Sequence, residues 1–245
     1  MYRKSLILFI LTSFVFLSCE KDHRCDCLKR TGSQGESNRT LSDFSEIILE
    51  NKINLVLTQG TENTIRFEAG EKLLNGIEST IKDGKLTIKN TNICNFSRSL
   101  KKTITAYLTF KKITKLFYTG AGDISTTNTL KDSLFTFYTE NGAGKIQLAL
   151  DVKVLVVALG TGPSDIVITG KTNDSFIYNA GNGYIHLEDL ASKYTSVISN
   201  STGDCYVWTT DLLDVTLGYS GDNYYKGTPV VRDPILKGTG KLKRI

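Results

Sequence analysis

Apolar and polar residues alternate strictly through the C-terminal half of the chain, and the alternation is punctuated by a recurring glycine pair. The pairs are Gly120-Ala-Gly122, Gly142-Ala-Gly144, Gly160-Thr-Gly162 and Gly181-Asn-Gly183, followed by the degenerate Ser201-Thr-Gly203 and Ser220-Gly221 and a last Gly238-Thr-Gly240. Their second glycines are 22, 18, 21, 20, 18 and 19 residues apart. A repeat of about 20 residues built from strand-like pieces predicts a β-solenoid, in which each rung buries its apolar face only by stacking on its neighbours. Aligned on the second glycine, one column reads Ile124, Ile146, Ile166, Ile185, Cys205, Asn223 and Leu242. The next reads Thr126, Leu148, Ile168, Leu187, Val207, Tyr225 and Arg244. Side chains alternate across a strand, so these mostly apolar columns are expected to point inward. A second apolar strand precedes each following glycine pair. One rung is then strand, polar corner, strand and glycine corner, with glycine favoured where φ is positive or where stacked backbones approach closely.

Residues 41–115 also read as β, without a clear repeat. Stretches 46–58, 64–68, 77–82, 85–89 and 103–110 alternate as half-buried strands do, Asp83-Gly84 is a hairpin-turn signal, and only 71–75 has a helical period. The fold expected is all-β: a right-handed parallel β-helix-like solenoid over 116–245, preceded by an N-terminal β part that includes antiparallel hairpins. Tyr225-Lys-Gly227-Thr-Pro229 and Asp233-Pro234 are expected to interrupt the repeat near its end.

The first 18 residues have a different pattern. Arg3 and Lys4 precede an apolar run from Leu6 to Leu17, too short for a stop-transfer helix, and Phe16-Leu17-Ser18-Cys19 resembles a bacterial lipobox. The chain is therefore read as an exported lipoprotein, cut before Cys19 and anchored to a membrane through lipid on that cysteine. Residues 19–40 are polar and expected to be a flexible tether. The acidic residues just behind Cys19 resemble the surface-export signal of Bacteroidetes lipoproteins, which points to the outer membrane, on its periplasmic or cell-surface side. The whole chain holds 30 Lys+Arg against 25 Asp+Glu. Losing Arg3 and Lys4 with the leader would leave 28 against 25, a mild balance that argues against a nucleic-acid partner.

Several motifs carry a resemblance. Phe44-Ser-Glu-Ile47, Lys52-Ile-Asn54 running into Leu55-Val-Leu-Thr-Gln-Gly60, Gly84-Lys-Leu-Thr-Ile88, the Gly-x-Gly-Asp-Ile rungs and Tyr225-Lys-Gly227-Thr-Pro229 together resemble the head GIN domain family of exported, adhesin-like proteins. The likeness spans about residues 41–245, with lysine at 52 where the family's name-giving Gly-Ile-Asn has glycine. It implies a β-helix-like fold and an adhesion role, with no catalytic residues to transfer.

Candidate chemistry lies on the outward positions of the later rungs. Tyr184, His186 and Glu188, then Asp204, Tyr206 and Trp208, then Asp222, Tyr224 and Lys226 should share one exposed face. Tyr184, His186, Glu188, Tyr206, Trp208 and Tyr224 are the candidate ligand-binding residues, since aromatic rings beside carboxylates can take sugars; cross-strand aromatic pairs also stabilise sheets by themselves. The aspartates that follow glycine corners suit turn-capping better than a Ca²⁺ ladder, because their period is about 20 and Lys145 and Tyr184 interrupt it. An enzyme of the polysaccharide hydrolase or lyase type would draw on Glu188, Asp204 or Asp222; a purely structural envelope scaffold would need none of them. Cys205 falls in an inward column and reads as a buried free thiol. Cys94 with Cys25 or Cys27 is the candidate disulfide. His23-Arg-Cys25-Asp-Cys27 lacks metal-site spacing, so neither metal nor cofactor is expected. The reading overall is a binding module for a glycan or an envelope protein.

Replacing Cys19 by Ser removes the lipid-bearing thiol. Cell fractionation should then find the protein released from the membrane pellet; unchanged fractionation would overturn the lipoprotein reading.

Overall fold

The computed structural model describes residues 31–92 and 103–245. The leader, Cys19, most of the tether, and the candidate bridge between Cys94 and Cys25 or Cys27 lie outside the described residues. The described residues are almost wholly β. Strands β1 (Gln34–Thr40), β2 (Glu46–Asn51), β3 (Asn54–Gln59) and β4 (Thr64–Gly70) lead to the single-turn helix α1 (Glu71–Leu74). Then come β5 (Ile77–Lys82), β6 (Lys85–Asn90), β7 (Thr105–Phe110), β8 (Lys115–Gly120) and β9 (Ile124–Thr126). The repeat supplies β10 (Leu130–Thr139), β11 (Lys145–Leu159), β12 (Asp165–Asn179), β13 (Ile185–Ser199) and β14 (Cys205–Leu217), and β15 (Asn223–Lys226), β16 (Val230–Leu236) and β17 (Leu242–Arg244) close the chain.

The rungs stack in parallel with the register that the columns predict. Ile124 faces Ile146, which faces Ile166, then Ile185, Cys205, Asn223 and Leu242. All but Leu242 are fully buried. In each long strand the inward alternation slips by one residue, at Lys153/Val154 in β11 and at Lys193/Tyr194 in β13. That slip is the polar corner, where the chain turns from one sheet into the other; the columns led by Phe135 and Phe137 then fill the second half of the core.

At the base of the stack the chain order is broken. β2 lies between β6 and β8, and β3 lies between β7 and β9, all parallel. The rung formed by β2 and β3 is thus inserted between chain segments that come later. Its turn uses Asn51 at φ 63°, so the left-handed residue is an asparagine, and Lys52 stands without strain where the family has glycine. Asp83 and Gly84, at φ 51° and 73°, make the expected hairpin between β5 and β6. β5 and the β1–β4 pair are antiparallel and cover the end of the stack.

One expectation needs correction and another is narrowed. Residues 34–40, expected in the tether, form β1. This strand has no apolar row; it is held by backbone pairing with β4 and by Arg39, which donates to Ser79 Oγ at 2.9 Å and to the Ile77 carbonyl at 2.8 Å and lies over the Phe67 ring. The corner glycines, moreover, are required by close approach. Of the second glycines only Gly162 has positive φ, at 96°. A Cβ on Gly144, Gly183 or Gly203 would land inside the carbonyl oxygen of the rung beneath, that of Gly122, Ser164 or Gly183.

The repeat does not stop at Tyr225. β15 is short and β16 has a register irregularity next to Asp233-Pro234, but β16 still pairs with β14 and β17 with β15. Two aspartates fasten these last rungs. Asp214 accepts from Arg232 and from the Tyr194 hydroxyl at 2.7 Å; Asp222 accepts from Lys243 and from the Lys241 backbone N–H at 2.7 Å. Arg232 holds the Asp214 carboxyl below its ordinary range, and Lys243 does the same for Asp222.

Gly183→Ala should therefore lower stability by about 1–3 kcal/mol through overpacking, whereas Gly160→Ala, whose Cβ meets the Thr139 carbonyl at 3.3 Å, should cost less; thermal melts of the two variants check this order. Because the folded pKa values of Asp214 and Asp222 are depressed, their contribution is present above the unfolded value and is lost as pH falls through the folded ones. Melting temperature should drop below about pH 4, and an Asp214→Asn/Asp222→Asn variant, already weaker at neutral pH, should show a smaller acid loss.

Candidate functional site

The candidate residues sit on the outer face of the first sheet, near its C-terminal end. Alternation along β13, β14 and β15 sends Ile185, Cys205 and Asn223 inward, so the residues that follow them point out. In-register pairing then places His186 against Tyr206, Tyr206 against Tyr224, and Tyr224 against Lys243. Strands in a sheet repeat at about 4.8 Å, close to the distance at which flat rings stack. The His186 and Tyr206 rings are 4.7 Å apart with planes 8° apart, and Tyr206 and Tyr224 are 4.7 Å apart at 6°. Tyr184 joins the row at 6.3 Å from His186.

This geometry changes what the face offers. The rings stack on one another, so their π faces are largely occupied, and the free end of the Tyr224 face carries Lys243 Nζ at 5.0 Å from the ring centre. Trp208 is half-buried beside the row with Lys226 Nζ 4.6 Å over its ring, and Lys226 also pairs with Asp189 at 3.2 Å. What remains outward is a comb of ring edges and hydroxyls. The Tyr206 hydroxyl has no partner among the described residues, and its pKa is raised by burial and by the carboxylate of Asp204. Glu188 meets His186 Nδ1 at 3.1 Å through one oxygen, while its other oxygen is buried without a partner.

The neighbouring aspartates are otherwise engaged. Asp204 Oδ1 accepts the Asp222 N–H at 2.8 Å, Asp222 Oδ1 accepts the Lys241 N–H, Asp165 takes the Tyr184 N–H at 3.2 Å and Asp123 the Lys145 N–H at 3.0 Å. Each therefore caps the rung above it rather than its own turn, a link that only the stacked geometry reveals. Among the described residues no group of three or more His, Cys, Asp or Glu side chains is arranged to hold a metal ion. Cys205 is a buried free thiol; burial pushes it up to about 12, and Asn179 Nδ2 approaches its sulfur at 3.7 Å. Sequence reasoning brought the six candidates to one face but missed Lys243, which closes the ring stack; the signal was its place one rung after Tyr224.

Comparison with solved structures finds the same architecture. A "putative adhesin" of Bacteroides fragilis superposes with a TM-score of 0.82 at 20% identity, covering 89% of this chain and 100% of that one. A "putative lipid binding protein" of Parabacteroides distasonis gives 0.67 at 19% identity, with 89% and 100% covered. A "putative adhesin" of Parabacteroides merdae gives 0.64 at 16%, with 89% and 98% covered. At these identities the likeness establishes the fold. No curated protein matches the chain in sequence. The family described as "Putative auto-transporter adhesin, head GIN domain" does match, over residues 43–229. With most of the chain inside that match and the solenoid already in view, the protein belongs to the head GIN domain family.

Proposed function

We propose that this protein is a lipid-anchored envelope adhesin whose solenoid holds a glycan along the edge of the aromatic ladder, without transforming it. The observation that carries this reading is the ladder itself: His186, Tyr206 and Tyr224 present one polar edge per rung, in register, with Tyr184 two residues before His186 on the same rung and Glu188 and Trp208 beside them. A chain of sugars offers hydroxyls at a comparable repeat, and hydrogen bonds to ring edges and carboxylates suit it better here than stacking does, because the ring faces are taken. The adhesin-like role agrees with the family. The leader and the lipobox-like Phe16-Leu17-Ser18-Cys19 support the envelope location.

A carbohydrate-active enzyme using Glu188, Asp204 or Asp222 is the alternative from another class. It is less well supported, since Asp204 and Asp222 accept backbone N–H groups of the adjoining rung and Lys243 holds Asp222 ionised. General acid catalysis needs a carboxyl whose pKa is raised. A scaffold role without small ligands would leave the ladder as a sheet-stabilising stack, worth about 0.5–1.5 kcal/mol per pair beyond burial.

Immobilised glycans, screened for binding and then for shortened chains, separate the three readings. Binding without cleavage is expected. Tyr206→Phe, which keeps the ring in its stack and removes only the hydroxyl, should weaken that binding severalfold with an unchanged melting temperature. Cleavage would establish the enzyme instead, and unaltered binding by the variant would remove the ladder edge from the site.

A further inference from the structure

The polar corners form a second surface, distinct from the ladder. Between the strands of the two sheets runs a groove of about 870 Å³ whose lining includes Lys111, Lys112, Lys131, Lys153, Lys171 and Lys193. All six lysines are exposed. Four of them come one per rung from successive rungs: Lys131 in β10, Lys153 in β11, Lys171 in β12 and Lys193 in β13. They alternate between two adjacent columns, since Lys131 lies in register with Asp151 and Asp151 with Lys171, while Lys153 and Lys193 occupy the alternation slip two residues on. At about 4.8 Å per rung the four span roughly 14 Å along the axis.

Only two carboxylates line this groove. Asp132, almost wholly covered, meets Lys112 at 3.4 Å, and Asp151 meets Lys171 at 3.4 Å. Lys131, Lys153 and Lys193 have no ion-pair partner among the described residues. The corner is also held firmly. The Gln59 side chain donates to the carbonyls of Lys111 at 3.3 Å and Lys131 at 3.0 Å and accepts the Lys131 N–H at 2.7 Å, tying two basic corners of different rungs together. Under the lysines, Thr172 and Ser192 are buried and bonded to backbone carbonyls, Thr172 to Lys153 O and Ser192 to Tyr194 O. Lys111 reaches out to Asp43 at 3.2 Å, so three of the six lysines are paired; the other three repel one another, and an anionic partner relieves that repulsion.

We propose that this groove binds a linear acidic polysaccharide, a chain bearing carboxylate or sulfate groups, laid along the solenoid axis with its charges against the lysine row. The occupant is elongated because the charges repeat rung by rung along the axis. A nucleic acid would find no aromatic side chain in the lining on which to stack its bases. A membrane surface is planar, while this site is concave. Lysines, as point charges on flexible stems, suit a chain whose charges vary in position better than arginine forks would. The site does not depend on the aromatic ladder, and the two are tested by different residues.

The test uses the full chain in detergent with four probes on a biosensor: polygalacturonate, dextran sulfate, neutral dextran and phosphatidylglycerol–phosphatidylcholine vesicles. Polygalacturonate or dextran sulfate should bind, more weakly as salt is added, and neutral dextran should not bind through this face. Lys131→Gln/Lys153→Gln/Lys171→Gln/Lys193→Gln should weaken polyanion binding about tenfold or more with no fall in melting temperature. Lys52→Gln/Lys82→Gln/Lys145→Gln/Lys237→Gln, an equal loss of charge from exposed lysines off the groove, should leave it nearly intact. Equal losses in both variants, binding to vesicles alone, or no polyanion binding would each overturn the proposal. Retained Tyr206-dependent glycan binding in the groove variant would show that the ladder site stands separately.

Discussion

Parallel strands in this molecule repeat at the hydrogen-bonding distance of about 4.8 Å, and nearly every other feature follows from that spacing. At the sharp corner the backbones come so close that a Cβ would enter the carbonyl oxygen of the rung beneath, which is why glycine recurs at 122, 144, 183 and 203. On the outer face the same spacing lets His186, Tyr206 and Tyr224 stack ring on ring. Beside the corners it brings each of Asp123, Asp165, Asp204 and Asp222 within reach of the next rung's N–H. One repeat distance thus selects a small residue, a flat residue and a short acceptor at three different positions.

How much of this was legible in the sequence depended on whether the signal was periodic. The inward columns from Ile124 to Asn223 and the hairpin at Asp83-Gly84 could be read because the repeat, or the turn chemistry, fixes them locally. β1 could not be: its residues, Gln34 to Thr40, are polar, and its place is set by backbone pairing with a strand some thirty residues away. The insertion of β2 and β3 was equally hidden, since nothing in their alternation says that β6 and β7 lie on one side and β8 and β9 on the other. At the ladder, outward direction was legible, but mutual stacking was not, and stacking decides that edges rather than ring faces are offered. The lysines at 131, 153, 171 and 193 carry the repeat too; their spacings of 22, 18 and 22 residues mirror the glycine pairs. They escape an alignment made on glycines because they switch columns.

A solenoid presents each outward column as a line of groups at fixed spacing, and here two such lines differ in chemistry. One is a comb of hydroxyls and ring edges closed by Lys243; the other is a row of ammonium groups in a groove. Repetitive surfaces of this kind match repetitive partners, because a contact made on one rung can be made again on the next, and weak contacts then add along the chain.

The inserted rung bears on how the chain reaches its folded state. The strands from 46 to 59 need partners on both sides, and those on one side, β8 and β9, stand about 69 residues further along, as the bonds from Thr58 to Thr127 and from Gln59 to Asn128 record. Until residue 126 is available, the rung of β2 and β3 lacks its partners on that side. Contacts of such long sequence separation form slowly, because loop closure must precede the gain. Rung-by-rung propagation, the usual virtue of a solenoid, therefore does not reach the rung of β2 and β3 by simple chain order: that rung is completed only when this non-local clasp closes.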